Sequence, residues 1–227
     1  MIITIDGPIA TGKSTIAKKL AQEIGFIYVD TGAMYRCLAY SVLKHEISPS
    51  DVTAIIDHLN SFKFDIKIRH GKKSYYVNDE DVTDIIRGKE VTSKVSQISA
   101  IEEVREKLVD LQREYSKGIN AVFEGRDMGT VVFPEADVKI FLKGDPVIRA
   151  KRRYEELKKK YPEDFKELTL EQTISDINKR DHQDSTREVS PLKQAEDALV
   201  IDTTELSIED IITKILEYKD TKPYSAK

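Results

Sequence analysis

The first apolar run, Ile2-Ile3-Thr4-Ile5, is short and β-branched, and Asp6 closes it; after a glycine-containing break, Ile16, Leu20 and Ile24 recur at helical spacing. Strand, loop and helix are predicted in that order. Short apolar runs return at Phe26-Ile27-Tyr28-Val29, Ala121-Val122-Phe123, Val138-Lys139-Ile140-Phe141-Leu142 and Leu199-Val200-Ile201. Longer helix-periodic segments separate them, so the chain reads as α/β, with a five-stranded, mainly parallel sheet and helices on both faces. One segment departs from this rhythm. Phe62, Phe64, Ile66 and Ile68 alternate strictly with Lys63, Asp65, Lys67 and Arg69, and His70-Gly71-Lys72-Lys73 turns the chain back into Ser74-Tyr75-Tyr76-Val77-Asn78. This predicts an antiparallel hairpin with one wet face, inside an insert over residues 60–95. The core is then made of residues 1–59 and 96–227. The hairpin tyrosines read as packing residues.

The helical segments carry their own punctuation. A helix is expected from Asp30-Thr31 to about His45, with a second from the Ser50-Asp51 turn to about Asn60. From Ala100 to Tyr115, the residues Ile101, Val104, Leu108, Leu111 and Tyr115 share one face, and Gly118 ends the helix. Arg105 sits at the edge of that stripe, compatible with a salt bridge or a ligand contact. Asp145-Pro146 starts a helix bearing Arg149, Arg152 and Arg153, whose Lys158-Lys159-Lys160 run reads as a solvated face. Thr169 with Gln172 makes a capping box for a helix to about Asp181, and Ser207 with Asp210 caps the last one, to about Lys219. Between them, Arg180 to Arg187 is polar and lacks apolar anchors. It reads as a mobile loop or a closing anion site, and arginines flanking a carboxylate favour the second. The polar tail, residues 220–227, is expected to fray.

Composition narrows the function classes. At 227 residues, 40% hydrophobic and 33% charged, the chain suits one large α/β domain or a core with a small insert. No stretch approaches the roughly 20 apolar residues of a membrane span, and no basic-then-apolar leader is visible, so a cytoplasmic protein away from membranes is expected. A net charge of -4 argues against a general nucleic-acid binder. Any anion is then captured by local arginines. The single cysteine, Cys37, permits neither an internal disulfide nor a thiolate cluster and reads as a small buried residue. No internal repeat is found, and a monomer is expected.

The chemistry starts at Gly7-Pro8-Ile9-Ala10-Thr11-Gly12-Lys13-Ser14-Thr15, a G-x-x-x-x-G-K-[ST] loop between the first strand and the first helix. Its backbone N–H groups can cradle the phosphates of a nucleoside triphosphate, Lys13 can reach the β and γ oxygens, and the Ser14 hydroxyl is placed for Mg²⁺. Two later strand ends also carry charge. Asp30, Thr31 and Arg36 follow one, at the sheet edge where α/β proteins bind ligands. Glu124-Gly125-Arg126-Asp127 follows another, where a carboxylate can help hold Mg²⁺ directly or through water. Asn178-Lys179-Arg180-Asp181 has the form of a guanine-reading motif. It ends an amphipathic helix rather than following a buried strand, and no D-x-x-G switch precedes it, so a regulatory GTPase is disfavoured. Arginines at several separate positions favour a kinase of a small phosphorylated acceptor.

Taken together, the P-loop, Asp-Thr-Gly-Ala-Met-Tyr-Arg at 30–36, Ser96-Gln97, Glu-Gly-Arg-Asp-Met-Gly-Thr-Val-Val-Phe-Pro at 124–134 and Arg-Asp-x-x-Asp-x-x-Arg at 180–187 resemble bacterial cytidylate kinase in its long form. The likeness spans almost the whole chain, and its 125–130 run is highly specific. It implies a three-layer P-loop kinase fold with a helical lid over about 150–190, and ATP-dependent phosphorylation of CMP or dCMP. By this resemblance Thr31, Arg36 and Arg126 hold the acceptor phosphate, and Ser96, Arg105 and Asp127 read cytosine. Arg180, Asp184 and Arg187 contact sugar and phosphates, and Lys13, Arg126, Arg180 and Arg187 carry the transfer. Ser14 and Glu124 hold Mg²⁺, the latter through water. The chemistry of each role is sensible, since cytosine presents an exocyclic N–H donor that a carboxylate can read. A uracil would turn a carbonyl toward that carboxylate, at a cost on the order of 1–3 kcal/mol. The sequence departs from relatives at Thr31, where serine is usual, at Glu124, where aspartate is common, and at His182 and Gln183, where charged lid residues are expected. Two other classes are conceivable: a kinase of a different small metabolite such as shikimate, which has no reason to keep Ser96, Arg105 and Asp127, and a nucleotide-dependent switch.

Overall fold

The computed structural model describes residues 1–69, 72–163 and 165–222, with only the backbone of Ile68, Arg69 and Lys72. His70 and Gly71 of the expected turn, residue 164 of the expected lid and residues 223–227 of the expected tail lie outside the described residues. In chain order the first half runs β1 (Ile2–Asp6), α1 (Lys13–Glu23), β2 (Ile27–Asp30), α2 (Thr31–Lys44), α3 (Val52–Leu59), β3 (Phe64–Arg69), β4 (Lys72–Val77), β5 (Glu80–Asp81) and α4 (Lys89–Ile98). The second runs α5 (Glu102–Tyr115), β6 (Ala121–Glu124), β7 (Val138–Lys143), α6 (Pro146–Lys160), α7 (Leu170–Thr186), β8 (Leu199–Asp202) and α8 (Ile208–Asp220). These elements form two compact units, one of Met1–Asp30 with Tyr115–Lys227 and the other of Thr31–Glu114.

The first unit is built on a five-stranded sheet of order β2-β6-β1-β7-β8. Every pairing is parallel, and the β-branched runs read from the sequence supply all of its strands. The register puts Ile5 and Asp30 on either side of Glu124 and sets Asp6 opposite Phe141. The acidic residues Asp6, Asp30 and Glu124 therefore end their strands at one edge of the sheet, where such folds bind ligands. Ile3, Ile5, Val122, Ile140 and Leu142 of the sheet, Ile16 and Leu20 of α1 and Ile211, Ile212 and Ile215 of α8 form the core. Each such side chain contributes about 1.5–3 kcal/mol by leaving water. Removing water from that face fixes α1, and with it the loop that opens it.

Both expected capping boxes are present, at Thr169 with Gln172 and at Ser207 with Asp210. α7 differs from expectation, running to Thr186 rather than to about Asp181. The stretch from Arg180 is helix, not loop. It has few apolar anchors because ion pairs hold it instead: Asp181 with Arg149, Asp184 with Arg126, and Arg187 with Asp127.

In the second unit the hairpin forms as expected, Phe64 opposite Val77 and Ile66 opposite Tyr75, and a two-residue strand, β5, completes a three-stranded antiparallel sheet. Tyr75 is buried, while the Lys67 ammonium lies 4.0 Å from the centre of the Tyr76 ring. α4 was not expected: its apolar residues Val91, Val95 and Ile98 are buried, but they are diluted by Lys, Glu, Thr and Ser. α2 buries Ala33, Met34, Cys37, Leu38, Ala39 and Val42, and Cys37 is the small interior residue its setting suggested.

Candidate active site

Between β1 and α1 the backbone takes conformations that only a few residue types tolerate. At Gly7, with φ of 147°, a Cβ would stand 2.2 Å from the Leu142 carbonyl oxygen. Gly12, the residue before α1, sits in the left-handed region at φ 86°, and Ala10 joins it at φ 61°. The Pro8 carbonyl gathers the loop, accepting from Lys13 Nζ at 2.6 Å and from Thr11 Oγ1 at 3.1 Å. Lys13 is 5% exposed. Burial, then the nearby Arg126, push its amine down, and Glu124, Asp184 and Asp6 oppose them. Ser14 and Thr15 are exposed at the start of α1. An anion arriving at the loop would supply the counter-charge that this buried ammonium needs.

Glu124 ends β6 almost fully buried. Its Oε1 accepts from Tyr28 Oη at 2.6 Å, and its carboxylate is hydrogen-bonded to Ser14. Burial pushes this carboxyl up, and Asp30, its neighbour in the sheet register, adds to the rise, with Lys13 opposing. Two carboxylates whose charges repel, a hydroxyl and a lysine thus occupy the same end of the sheet. A hard cation would relieve that repulsion.

The apex of the phosphate loop is held from the two helices that follow β7. Ile9 donates its backbone N–H to Asp181 Oδ1 at 3.0 Å. Arg149 Nη1 donates to the Ile9 carbonyl and to Asp181 Oδ2, both at 2.7 Å, while its Nε reaches the Gly144 carbonyl at 3.0 Å. The sequence marked Arg149 as one basic residue of a helix and gave Asp181 no separate role; their pairing across α6 and α7 depends on the tertiary fold.

Next to this clamp, Asp184 collects the arginines named from the sequence. Arg126 Nε donates to Asp184 Oδ2 at 2.9 Å, Arg180 Nε lies 3.3 Å from the same oxygen, and Arg187 Nη1 is 3.5 Å from Oδ1. Arg187 also lies 3.7 Å from Asp127. Burial alone would raise the Asp184 carboxyl; Arg126 and Arg180, then Arg187, overcome it and bring it to about 2. Arg126, Asp127, Arg180, Asp184 and Arg187 are therefore one network in the first unit. Arg126 and Asp184 are near enough to Lys13 to alter its charge, which joins the network to the phosphate loop.

Asp6 had no functional role in the sequence reading beyond ending a strand. Its two oxygens accept the backbone N–H groups of Met128 and Gly129 at 2.9 and 2.8 Å. These residues open a π-helical turn, Met128–Val132, that directly follows Arg126 and Asp127. The signal was its position against the phosphate loop.

The remaining expected residues lie in the second unit. Thr31, 2% exposed, opens α2. Arg36 Nη1 donates to Thr92 Oγ1 at 2.7 Å. Arg105, expected at the edge of a stripe, is instead 2% exposed. Its Nη1 donates to the Ser99 carbonyl at 3.1 Å, and its guanidinium carbon lies 5.2 Å from the centre of the Tyr35 ring. Ser99 Oγ in turn donates to the Ser96 carbonyl at 3.1 Å, so Ser96 and Arg105 meet at Ser99. Tyr35, Thr92 and Ser99 were not singled out in the sequence, because each acts through a neighbour on another element.

The sequence model of the family described as cytidylate kinase matches residues 3–221. The chain is 64% identical over 221 residues to a cytidylate kinase of Protochlamydia amoebophila (strain UWE25), covering 97% of each chain. It is 48% identical over 223 residues to a cytidylate kinase of Caldicellulosiruptor bescii, covering 97% of this chain and 96% of the relative. Among solved structures, a shikimate kinase from Bacteroides thetaiotaomicron superposes with a TM-score of 0.51 at 11% identity, covering 97% of this chain and 98% of the other, a likeness of fold alone. With a family match over nearly its whole length and a relative this similar, the chain belongs to the cytidylate kinase family.

Proposed function

We propose that this protein transfers the γ-phosphoryl group of ATP to CMP or dCMP, giving the diphosphate and ADP. The observation that carries the reading is the Asp184 network, in which Arg126, Arg180 and Arg187 converge on one carboxylate within electrostatic reach of Lys13. Such a cluster fits an anionic acceptor next to a phosphate-binding loop. Lys13 and the loop amides of residues 7–15 take the donor phosphates. Arg126, Arg180 and Arg187 neutralise charge on the transferred group, so alignment and electrostatics carry the reaction and no general base is needed. Asp127 reads the cytosine amine. In the second unit, Thr31 and Arg36 hold the acceptor phosphate, and Ser96 and Arg105 serve the base. Arg180, Asp184 and Arg187 also contact the sugar and phosphates, and α6 and α7 act as the lid that keeps water from the γ-phosphate.

Ser14 and Glu124 suit Mg²⁺, Glu124 through water, because a hydroxyl and a carboxylate beside the phosphate loop are the oxygen donors this ion takes. Among the described residues no group of three or more His, Cys, Asp or Glu forms a ready-made metal cage. When bound, Mg²⁺ neutralises charge on the β and γ oxygens. Among the described residues no helix is long and apolar enough to cross a membrane. We assign the protein to the cytoplasm as a monomer acting on free nucleotides, with no nucleic-acid partner.

The deciding measurement is ADP formation from Mg²⁺-ATP with the purified protein across a panel of CMP, dCMP, UMP, AMP and shikimate. CMP and dCMP are expected to drive turnover. Equal activity with UMP or AMP, or dependence on shikimate alone, overturns the reading.

A further inference from the structure

We propose that Asp6 is a positioning residue for acceptor recognition: by holding the backbone amides of Met128 and Gly129 it fixes the angle at which Asp127 meets the base. The inference rests on the CMP kinase reading above. Both Asp6 oxygens are used, one on each amide, and the contact is buried, with Asp6 4% exposed. The peptide joining Asp127 to Met128 is thereby fixed at both ends. Its N–H goes to Asp6 Oδ1 at 2.9 Å, and its carbonyl, that of Asp127, accepts from Val131 at 2.9 Å and Val132 at 3.1 Å in the π-helical turn. With that peptide plane locked, the Asp127 side chain leaves the backbone in a set direction.

The fit around the latch is close. A Cβ on Gly129 would stand 3.1 Å from Thr4 Oγ1, 3.3 Å from Lys139 Cδ and 3.4 Å from Asp6 Oδ2, so a side chain there would press on Thr4 and Lys139 and just touch the carboxylate. The arrangement also works against the carboxylate's own ionisation. Burial pushes Asp6 up to about 7 against the two amide bonds, and the charge of Asp127 adds to the rise, with Lys13 opposing. A neutral asparagine would avoid that cost, yet it presents an oxygen to one amide and an NH₂ group to the other, so it cannot close both bonds.

The backbone of the phosphate loop is held separately, by Pro8 O, Thr11, Lys13 and the Asp181 clamp, and the Asp6 charge is the smallest of the influences on Lys13. The latch should therefore act mainly on the acceptor. In Asp6→Asn, KM for CMP is expected to rise about tenfold and the preference for CMP over UMP in kcat/KM to fall by about as much, because sub-ångström misplacement of a recognition group is costly. KM for ATP should stay within about twofold. A role confined to folding would instead lower kcat through a smaller active fraction, with KM for CMP and the CMP-to-UMP ratio unchanged, and that result overturns the proposal. If Asp6→Asn does not yield folded protein, Gly129→Ala shifts the same backbone by pressing on Thr4 and Lys139 beside the contact and should give the same split between acceptor and donor. An unchanged ratio in that variant counts equally against it. Wild-type protein measured alongside separates the two claims: if it shows no CMP-dependent ADP formation, the functional reading fails, whatever the variants do.

Discussion

Asp181 and Ile9, far apart in the sequence, meet at 3.0 Å, where the carboxylate on α7 accepts the backbone N–H at the apex of the phosphate loop. The second Asp181 oxygen takes Arg149, whose side chain is 4% exposed. Asp181→Ala would leave that guanidinium without its carboxylate and the Ile9 N–H without its acceptor, with only the Arg149 bond to the Ile9 carbonyl still holding the loop apex. A loss of about 2 kcal/mol is expected, below the range for a fully buried pair because Asp181 itself is partly exposed. KM for ATP should rise about five- to tenfold with KM for CMP less affected. Urea unfolding and initial rates at varied ATP check both parts, and an unchanged ATP KM would show that the clamp serves stability alone.

Asp184 ties stability to acid. Burial, outweighed by Arg126 and Arg180, leaves its folded value at about 2 against an ordinary 3.8. Between these values the unfolded chain binds more protons than the folded one. The stabilisation is thus fully present above pH 3.8 and is lost as pH falls toward 2, to the extent of about 2 kcal/mol. Asp184→Asn should already be less stable at pH 7, with three arginines deprived of a shared partner, and should lose less on acidification. Parallel urea titrations at pH 7 and in the acid range test this; identical acid slopes in the two proteins would contradict it.

Lys13 gives a slope of the same sign at higher pH, but as a penalty on the folded state rather than a gain. Burial, then Arg126, lower its amine from 10.5 to about 7 in the folded protein without nucleotide. In that window the unfolded chain holds the proton and the folded chain does not, so the contribution of this site to stability rises with pH. Lys13→Met deletes the titration. Its stability should vary less with pH above 7, and its kcat should fall about 10³-fold through loss of charge on the γ-phosphate oxygens. Thermal melts at several pH values with single-turnover rates separate the two effects, and a melting profile parallel to wild type would refute the first.

The strands were legible because they are short β-branched runs buried by local pattern, and the phosphate loop because its spacing is set by backbone geometry at Gly7 and Gly12. α4 was not, since Val91, Val95 and Ile98 are separated by residues that suit a loop equally well. The last turns of α7 escaped for another reason: Asp181 and Asp184 are anchored by Arg149 and Arg126, contacts that no local pattern encodes. The depth of Arg105 has the same origin, since Tyr35 and Ser99 make its burial tolerable from other elements. The candidate site residues were named from motifs. The residues that aim them, Asp6, Tyr28 and Ser99, each act through a neighbour and leave little trace in the sequence.

Tyr28 offers the clearest test of that last group. Its hydroxyl donates to Glu124 Oε1 at 2.6 Å, and Glu124 also interacts with Ser14. The phenol thus fixes one carboxylate oxygen of the residue proposed to hold the ion. Tyr28→Phe keeps the ring and removes that bond, so Glu124 is held less firmly and loses one of the contacts that favour its charged form. The Mg²⁺ concentration for half-maximal activity should rise about tenfold, while kcat at saturating Mg²⁺ stays within about threefold, because the phenol touches neither nucleotide in the proposed arrangement. An initial-rate titration of Mg²⁺ at fixed free ATP reads this directly. A fall in kcat at unchanged Mg²⁺ dependence would instead place Tyr28 with the reacting groups and leave Glu124 oriented by the sheet alone.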